Sequence, residues 1–466
     1  MSLRDLIVVS FVLLSLPASF RVPYTGLLMF TWLAYMRAQD LCWGFARQAR
    51  LSYVVAATMV AGFFVNELGR VRFTVWDVRT LCMVAMAMLI GLSLIDARQY
   101  DQYVQDRYAE YLKIVLIALF VAGQVTTRNR MHLMVWTIAI SLGFYGFKNG
   151  LWAIATGGRQ ILRGPGGMLE DNNDFALALT MNVPFLLFLA KLETRKFVKR
   201  GLQAATALTA ITVFCTYSRG AFLSICGVFG IFILRSRYKL IALGVAAAGA
   251  LLFLAFAPAA LMERYGMIAG YEGDRSAEGR LVAWGVAIRM ALDNPILGVG
   301  FRNFRANFTD YFGAPVGMLI EVHSSWFQIW AETGTTTLLV FLTMLFTSFR
   351  TLRKLMRIGR QHEGGEWIAD YAVMLEASIV GYCIGATFLN RAHFDLMYHC
   401  VALVTALNVL TYQWLALPAH DRVVEGDDIA DRPPLEVAGR AHHRGFRRPG
   451  QKRQRRHRCF RPQVDG

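Results

Sequence analysis

Hydrophobic residues along this chain come in long continuous blocks, not in the narrow stripes of an amphipathic surface helix. Six blocks have about 17 or more residues with almost no charge, the length that a helix needs to cross about 30 Å of hydrocarbon. Because backbone polar groups in lipid must bond within their own segment, each block predicts a transmembrane helix. The apolar blocks cover residues 6–20, 24–36, 51–67, 78–95, 111–125, 131–157, 173–190, 201–217, 220–234, 239–258, 326–348, 369–389 and 397–415.

The first two blocks are short, and Arg21 and Pro23 separate them, so they form either two spans or one broken span. Residues 1–20 resemble a cleavable signal peptide, with Arg4 ahead of an apolar core. A second apolar block follows at once and favours an uncleaved first helix. The sequence therefore predicts an all-α polytopic membrane protein of about twelve transmembrane helices, twelve or thirteen in all, with a long helical loop at 259–325.

Composition agrees with this pattern and narrows the function. Of 466 residues, 55% are hydrophobic and 17% are charged, which leaves too little polar surface for a soluble enzyme. The seven cysteines include no C-x-x-C pair, and no His-Cys cluster has the spacing of a metal site. There is also no nucleotide-binding loop, so we expect a protein without a metal or other cofactor.

The distribution of Lys and Arg among short loops predicts the orientation. Basic residues concentrate in the loops 191–200, 235–239 and 349–361. Because successive transmembrane helices cross in alternating directions, these three loops lie on the same side, the cytoplasmic side. The opposite, non-cytoplasmic side then receives residues 96–110, 158–172, 218–219, 259–325 and 390–396.

The chain divides into a membrane domain, 1–416, which includes the 259–325 loop, and a basic tail, 417–466, that the alternation places in the cytoplasm. Residues 440–461 hold ten Lys or Arg and no acid, a composition that predicts disorder. Such a tail either binds anionic lipid headgroups or is a solvated topogenic signal. No folded nucleic-acid module accompanies it, so we expect no nucleic-acid partner.

Arginines are common on the non-cytoplasmic side, where short loops ordinarily carry few positive charges. The planar guanidinium matches phosphate or carboxylate oxygens, so these residues predict an anionic ligand. Ordinary pairing with nearby Asp and Glu is the alternative, weakest for Arg219 in a tight turn between two spans. The arginines on this side are Arg159, Arg163, Arg219, Arg264, Arg275, Arg280, Arg289, Arg302, Arg305 and Arg391.

The long loop contains two predicted helices. The stretch from Glu278 to Asn294 has amphipathic spacing that suits packing on the membrane or on a helix bundle, and Pro295 with the glycines of ILGVGF ends it. A second short helix is expected from Phe301 to Phe312. The apolar face predicted for the first helix consists of Leu281, Trp284, Ala287, Ile288 and Ala291.

Only His323, His393 and His399 can reach the non-cytoplasmic side. His323 stands where the long loop re-enters the membrane, before SSWFQIWAETG. An imidazole can accept a proton from an attacking hydroxyl near neutral pH. From the residues alone, His323 is either such a base or a structural hydrogen-bonding group.

Two sequence runs resemble the signature of the O-antigen ligase and polymerase superfamily. They are RLVAWGVAIRMALDNPILGVGFRNF (Arg280 to Phe304) and VHSSWFQIWAETG (Val322 to Gly334), and YSRGAFL (Tyr217 to Leu223) is similar to the family's SRG element. The likeness is specific over about 162–340 and points most to the O-antigen ligase (WaaL) branch. The N-terminal third looks like exosortase-associated O-glycosylation ligases.

The resemblance implies a metal-independent glycosyltransferase of the bacterial inner membrane. It would transfer a glycan from undecaprenyl diphosphate to a sugar hydroxyl of lipid A–core on the periplasmic side, in lipopolysaccharide biosynthesis. His323 would be the general base, and Arg280, Arg219 and then Arg163 would bind the diphosphate. The further candidates for this site are Arg289, Arg302, Glu332 and Arg391.

Other functions stay open at this point. Within the same superfamily, the chain could be an O-antigen polymerase or a protein O-oligosaccharyltransferase, which differ in the acceptor. A lipid-linked glycan transporter would also use membrane-embedded arginines, but the chain has no duplicated halves of the kind common in transporters. A purely structural envelope protein would need neither His323 nor the arginines.

Overall fold

A computed structural model of the chain describes residues 3–236, 238–241, 243–244, 247–249, 275–313, 321–419 and 422. Within these residues the fold is α-helical without β-strands, and the only β-type pairing is an isolated bridge between Arg163 and Asp171. Short turns of helix occur at Ala38–Leu41, Phe45–Gln48 and Gly167–Leu169. The longer helices are α1 (Leu3–Arg21), α2 (Pro23–Met36), α3 (Leu51–Gly62, extended by a π-turn at Phe63–Glu67), α4 (Val78–Leu92), α5 (Gln102–Gln124), α6 (Arg128–Ala155), α7 (Asn172–Leu192), α8 (Lys196–Cys215), α9 (Arg219–Arg235), α10 (Arg275–Asp293), α11 (Phe304–Phe312), α12 (Ser325–Gln361), α13 (Glu366–Ala386) and α14 (Asp395–Leu415).

The all-α polytopic membrane architecture is confirmed. Twelve of the thirteen predicted apolar blocks coincide with helices, and the block at 239–258 lies largely outside the described residues. Among the described helices, α1, α7, α12, α13 and α14 are by length and composition sufficient to cross a membrane, and α3 and α4 are shorter apolar helices. The exact number of crossings stays a prediction, as do the predictions for the tail beyond residue 422 and for Arg264, which fall outside the described residues.

The first two apolar blocks form two separate helices. Pro23 occupies the first turn of α2, where its missing N–H costs nothing. The start of α1 lies beside Ala46, whose N–H donates to Asp5 over 3.2 Å, and its end lies beside Asn66, whose side chain donates to the Phe20 carbonyl over 2.8 Å. Helix α1 therefore runs parallel to α3, and α2 runs antiparallel to both.

Loops of the bundle gather at two opposite ends. At the first end, the Tyr217 hydroxyl donates to the Gly158 carbonyl over 3.1 Å, and the Gln99 N–H donates to Asn303 over 2.7 Å. At the second end, Lys191 pairs with Asp370 at 2.6 Å. The loops predicted to share a side therefore meet at the same end, with 96–101, 158–171, 216–218, 294–303 and 387–394 at the first.

Small residues allow some helices to approach closely. A Cβ atom added at Gly146 or Gly150 of α6 would collide with Thr209 or Leu208 of α8. The Thr212 hydroxyl also donates to the Gly146 carbonyl over 2.7 Å across this contact. Small residues four apart are a common way to bring helices together in lipid, where burial of apolar surface gives no driving force.

Helix α10 packs on α11 and α12 with a face that overlaps the predicted one: Ala287 and Ala291 are buried, and Trp284 and Ile288 are half-buried. Leu281 is the exception, because it is 49% exposed, and the centre of the contact is shifted toward Ala283, Val286 and Met290. Apolar residues surround much of this helix, so periodicity alone does not fix the centre of its buried face. The residues buried there are Ala283, Val286, Ala287, Met290 and Ala291.

The segment between α10 and α11 docks into a break in α12. Gly334 adopts φ 83° and ψ 172°, a conformation that glycine reaches without strain, and it interrupts the helix there. The Val299 N–H donates to the Ala331 carbonyl over 2.9 Å, and the Thr335 N–H donates to the Pro295 carbonyl over 2.8 Å. The second helix starts at Phe304, not at the predicted Phe301, because a turn with Arg302 at φ 60° precedes it.

Candidate active site at the first end

His323 lies directly before α12 and is held on both sides. The Trp284 indole N–H donates to the carbonyl of Val322 over 2.9 Å, and the N–H of Ser324 donates to the Asn390 side chain over 3.2 Å. His323 itself adopts φ 48°, a left-handed conformation that is uncommon for a side-chain-bearing residue. Such strained residues concentrate at functional sites, because the surrounding structure must enforce them.

The electrostatic surroundings of His323 favour the neutral imidazole. Its side chain reaches solvent, but nearby protein atoms remove part of its hydration and lower its pKa from the ordinary value of 6.5. The positive charge of Arg280 lowers this pKa further, against the opposing effect of Glu321 and Asp171. A neutral imidazole at neutral pH can accept a proton from a hydroxyl group.

Arg280 is brought to His323 by helix α10. It lies four residues before Trp284, so the two side chains share one face of the helix. Since Trp284 is hydrogen-bonded to Val322, this face is turned toward the residues around His323. The half-buried Arg280 therefore supplies positive charge beside the imidazole.

Arg219 reaches the first end as the first residue of α9. Ser218 caps this helix by accepting from the Ala221 N–H over 3.3 Å, and the preceding residue, Tyr217, adopts a left-handed φ of 57°. The Asn172 side chain donates to the Thr216 carbonyl over 3.0 Å and ties this turn to the start of α7. A helix N-terminus adds a positive partial charge to that of the arginine.

Arg163 lies in the loop before α7. Its backbone pairs with Asp171, while its side chain is exposed at the first end. The Ile161 N–H donates to the Cys215 carbonyl over 2.8 Å, so this loop is attached to the turn that carries Arg219. The structure thus brings Arg163 and Arg219 to adjoining loops.

Arg391 forms a two-pronged salt bridge with Asp174 at the start of α7. Asp174 is 5% exposed, and it lies close enough to His323 for electrostatic interaction. The backbone N–H of Arg391 donates to the hydroxyl of Ser325, two residues after the histidine, over 2.9 Å. The pair therefore joins the 387–394 loop to α7 and to the beginning of α12.

The other candidates occupy different surroundings. Glu332 is buried two residues before Gly334, the break in α12, and accepts a hydrogen bond from Gln328 over 3.2 Å. Arg302 lies in the turn between α10 and α11 and lines a cavity with Arg391. Arg289 is exposed on α10, on the side away from the buried contact with α12.

The sequence patterns did not single out the acidic and amide residues that contact the arginines and the backbone beside His323. Glu321 binds Arg305 at 2.6 Å and accepts a hydrogen bond from the Asn390 side chain over 2.7 Å. Asp171 and Asp174 lie next to His323 and Arg391. The run EDNND ahead of an apolar block was a signal that could have identified these two aspartates.

Over the ranges that the structure describes, no group of three or more His, Cys, Asp and Glu side chains could hold a metal ion. Metal independence remains a prediction, and a chelator tests it. The charge beside His323 is supplied by arginine side chains of the chain itself.

Comparisons with known proteins identify two family domains in the chain. A family described as O-antigen ligase matches residues 204–342, a range that includes Arg219, Arg280 and His323. A family of unknown function (DUF5935) matches residues 3–194. No curated protein matches the chain. Residues 204–342 therefore form a domain of the O-antigen ligase superfamily.

Proposed function

We propose that the protein is an O-antigen ligase of the bacterial inner membrane, which transfers a glycan from undecaprenyl diphosphate to a sugar hydroxyl of lipid A–core. The observation that carries the proposal is the position of His323 beside Arg280, in the O-antigen ligase domain and before the break in α12. The ligase-or-polymerase type follows from the family. The identity of the donor, the identity of the acceptor and the roles of individual residues are part of our proposal.

Arg280 and Arg219 bind the diphosphate of the donor in this proposal, with Arg163 at its edge. A departing diphosphate carries concentrated negative charge, and preorganised guanidinium groups stabilise such charge as it develops. Because the leaving group is already an anion, it needs no protonation by a second carboxyl group, unlike the leaving group of a glycosidase. The arginines then take the place of the general acid.

His323 accepts the proton of the attacking hydroxyl. The acceptor oxygen forms a bond to the anomeric carbon of the donor sugar, and the bond from that carbon to the phosphate oxygen breaks. The acceptor proton moves to the imidazole, and the electron pair leaves with the diphosphate. The lowered pKa of His323 supports this role, because the imidazole is ready to accept a proton at neutral pH.

Two contacts hold the segment around His323 in place. Arg391 and Asp174 connect the 387–394 loop to α7, and Trp284 fixes the carbonyl of Val322. A misplacement of a catalytic group by about 1 Å can cost about 10²-fold in rate. In this proposal, Trp284 and Asp174 are positioning residues, which act through the residues that they hold.

Reconstituted transfer tests the function directly. Purified protein in detergent, given undecaprenyl-diphosphate glycan and lipid A–core without nucleotide, should form the glycan–lipid A–core product, with and without EDTA. Acceptor-free donor and a peptide acceptor serve as parallel reactions. Product from donor alone would identify a polymerase, and glycosylated peptide would identify a protein oligosaccharyltransferase. A requirement for a divalent ion would remove the role given to the arginines.

The site is expected to face the periplasm, with the second end of the bundle in the cytoplasm. Ile296 is 70% exposed near the first end, and Phe197 is 89% exposed at the second end. In spheroplasts, a membrane-impermeant thiol reagent should label Ile296→Cys, and should label Phe197→Cys only after permeabilisation. The parent protein defines the background from its native cysteines. The reverse labelling pattern would contradict this orientation.

A further inference from the structure

A cavity lies beside the His323 site at the first end of the bundle. Its enclosed volume is about 30 Å³, which is room for water or for one small polar group, and it opens to solvent. Helix α5 forms one wall, and the turn before α11 and the 387–394 loop form the others. The polar residues that line it are Arg107, Glu110, Arg302, Asn390, Arg391 and His393.

Two buried nitrogen atoms of this lining have no hydrogen-bond partner within the described part of the chain. They are Nε of Arg302 and Nε2 of His393. His393 is 8% exposed, between the rings of Tyr111 and Phe301. Buried polar atoms in native proteins are almost always paired with protein groups or water, so these two nitrogen atoms are available to a polar group that enters the cavity.

The charges around the cavity favour an anion near Arg302. Arg107 pairs with Glu110 at 2.7 Å, and Arg391 is held by Asp174. No salt bridge to Arg302 within 4 Å is found among the residues that the structure describes; the buried Glu332 carboxylate interacts electrostatically with Arg302 and accepts a hydrogen bond from its backbone. The Arg302 guanidinium lies 5.7 Å from the centre of the Phe301 ring. Burial and the charge of Arg302 lower the pKa of His393 to about 3, so its ring is neutral and does not compete for the anion.

The cavity adjoins the proposed catalytic residue without containing it. Asn390 lines the cavity and also accepts from the N–H of Ser324, the residue after His323, over 3.2 Å. A ligand in the cavity therefore lies next to the loop that carries the base. Arg280, the proposed diphosphate ligand, is not part of the lining, which separates the cavity from the donor's charged group.

We propose that this Arg302 cavity binds an anionic group, a phosphate or a carboxylate, of the acceptor glycan and so selects the acceptor. This inference rests on the proposed transfer reaction. Arg302 provides the planar fork for the anion, and the neutral His393 provides a further hydrogen bond. Because Arg107 and Glu110 belong to the N-terminal region matched by the family of unknown function, that region contributes to acceptor choice.

Acceptor discrimination tests the cavity. Transfer is measured at saturating donor with two pairs of acceptors. The first pair is lipid A–core with its phosphates and the same acceptor after phosphatase treatment. The second pair is an acceptor with a uronic acid and the same acceptor with that acid reduced to an alcohol. The wild type should prefer one acidic acceptor over its neutral partner by about tenfold or more in kcat/KM. In Arg302→Gln this ratio should fall close to one through a rise in acceptor KM. The acidic pair that shows the preference identifies the anion.

Arg98→Gln is the matched control, because Arg98 is an exposed arginine at the same end that pairs with Asp310 outside the cavity. It should keep the wild-type ratio. Equal preference of the wild type for acidic and neutral acceptors, or a rise in donor KM in Arg302→Gln, would overturn the proposal. Arg302→Lys should keep part of the ratio, and it replaces Arg302→Gln if that variant does not insert stably.

Failure of the proposed transfer reaction can be distinguished from failure of the anion-binding proposal. If the wild type transfers no glycan at all, equilibrium binding tests the cavity independently of the reaction. Phosphorylated and dephosphorylated lipid A–core are each titrated against the wild type and against Arg302→Gln. Tighter binding of the phosphorylated form by the wild type, lost in Arg302→Gln, would support an anion site. Identical binding of both forms would refute it.

Discussion

Replacing His323 with alanine is expected to reduce the single-turnover rate of glycan transfer by about 10²-fold or more, since a positioned general base contributes roughly that factor. The variant should still bind the lipid-linked donor, because the diphosphate is assigned to Arg280 and Arg219. The measurement is donor binding and single-turnover transfer by the purified, correctly inserted protein. Transfer near the wild-type rate would remove the histidine from the mechanism.

His362→Ala is the control for this variant. His362 lies at the second end of the bundle, beyond the end of α12, where its ring nitrogen contacts the Ile358 carbonyl at 3.0 Å. The two substitutions remove the same atoms from opposite ends of one helix. Only the change at His323 should affect the chemical step.

The pH dependence gives an independent check on the base. Burial and Arg280 lower the pKa of His323 below 6.5, so transfer should be constant at neutral pH and should fall only as the pH drops below that value. Removing a positive neighbour makes the imidazolium form more favourable and raises the pKa. The acidic limb of kcat/KM should therefore move to higher pH in Arg280→Gln and not in Arg98→Gln.

Arg280→Ala and Arg219→Ala are expected to weaken donor binding by about 10- to 100-fold each and to slow transfer as well. Each substitution removes hydrogen bonds to a charged group, which contribute roughly 1.5–3 kcal/mol. Lysine at either position should restore only part of the loss, because a point charge does not reproduce the two-pronged guanidinium contact. Titration with undecaprenyl-diphosphate glycan, followed by single-turnover transfer, measures both effects.

Arg98→Ala serves as the control here, because this arginine is also at the first end but is 53% exposed and bound to Asp310. It should bind the donor like the wild type. If Arg280→Ala and Arg219→Ala also kept wild-type donor affinity, the diphosphate would have to bind elsewhere. A loss of affinity equal to that of Arg98→Ala would show a general effect of surface charge.

The motif residues that resembled the superfamily acquire a physical explanation in the structure. The glycine of the ETG sequence, Gly334, opens α12, and the segment from Pro295 to Val299 fills the break with two backbone hydrogen bonds. A Cβ at Gly298 would collide with the backbone of α12, so glycine is needed there too. The tryptophan of the motif, Trp284, then fixes the residue before His323.

The EDNND run draws attention to its aspartates, but the sequence does not show which residues they pair with, because the pairing depends on long-range contacts. Asp174 and Arg391 are separated by 217 residues, and Ser324 and Asn390 by 66. Charge counts identified Arg391 as a candidate but gave no means to choose its partner among many carboxylates. Only the packing of α7 against α13 brings the two side chains together.

The sequence by itself determined the helices, the membrane class and the ends at which most loops meet, because block length, hydropathy and loop charge are local properties of the chain. It also singled out His323, Arg280 and Arg219 through motifs. Tertiary structure decided the hairpin of α1 and α2, the buried face of α10 and the surroundings of His323. These depend on which surfaces pack together, and local periodicity carries no information about a partner that is distant in the chain.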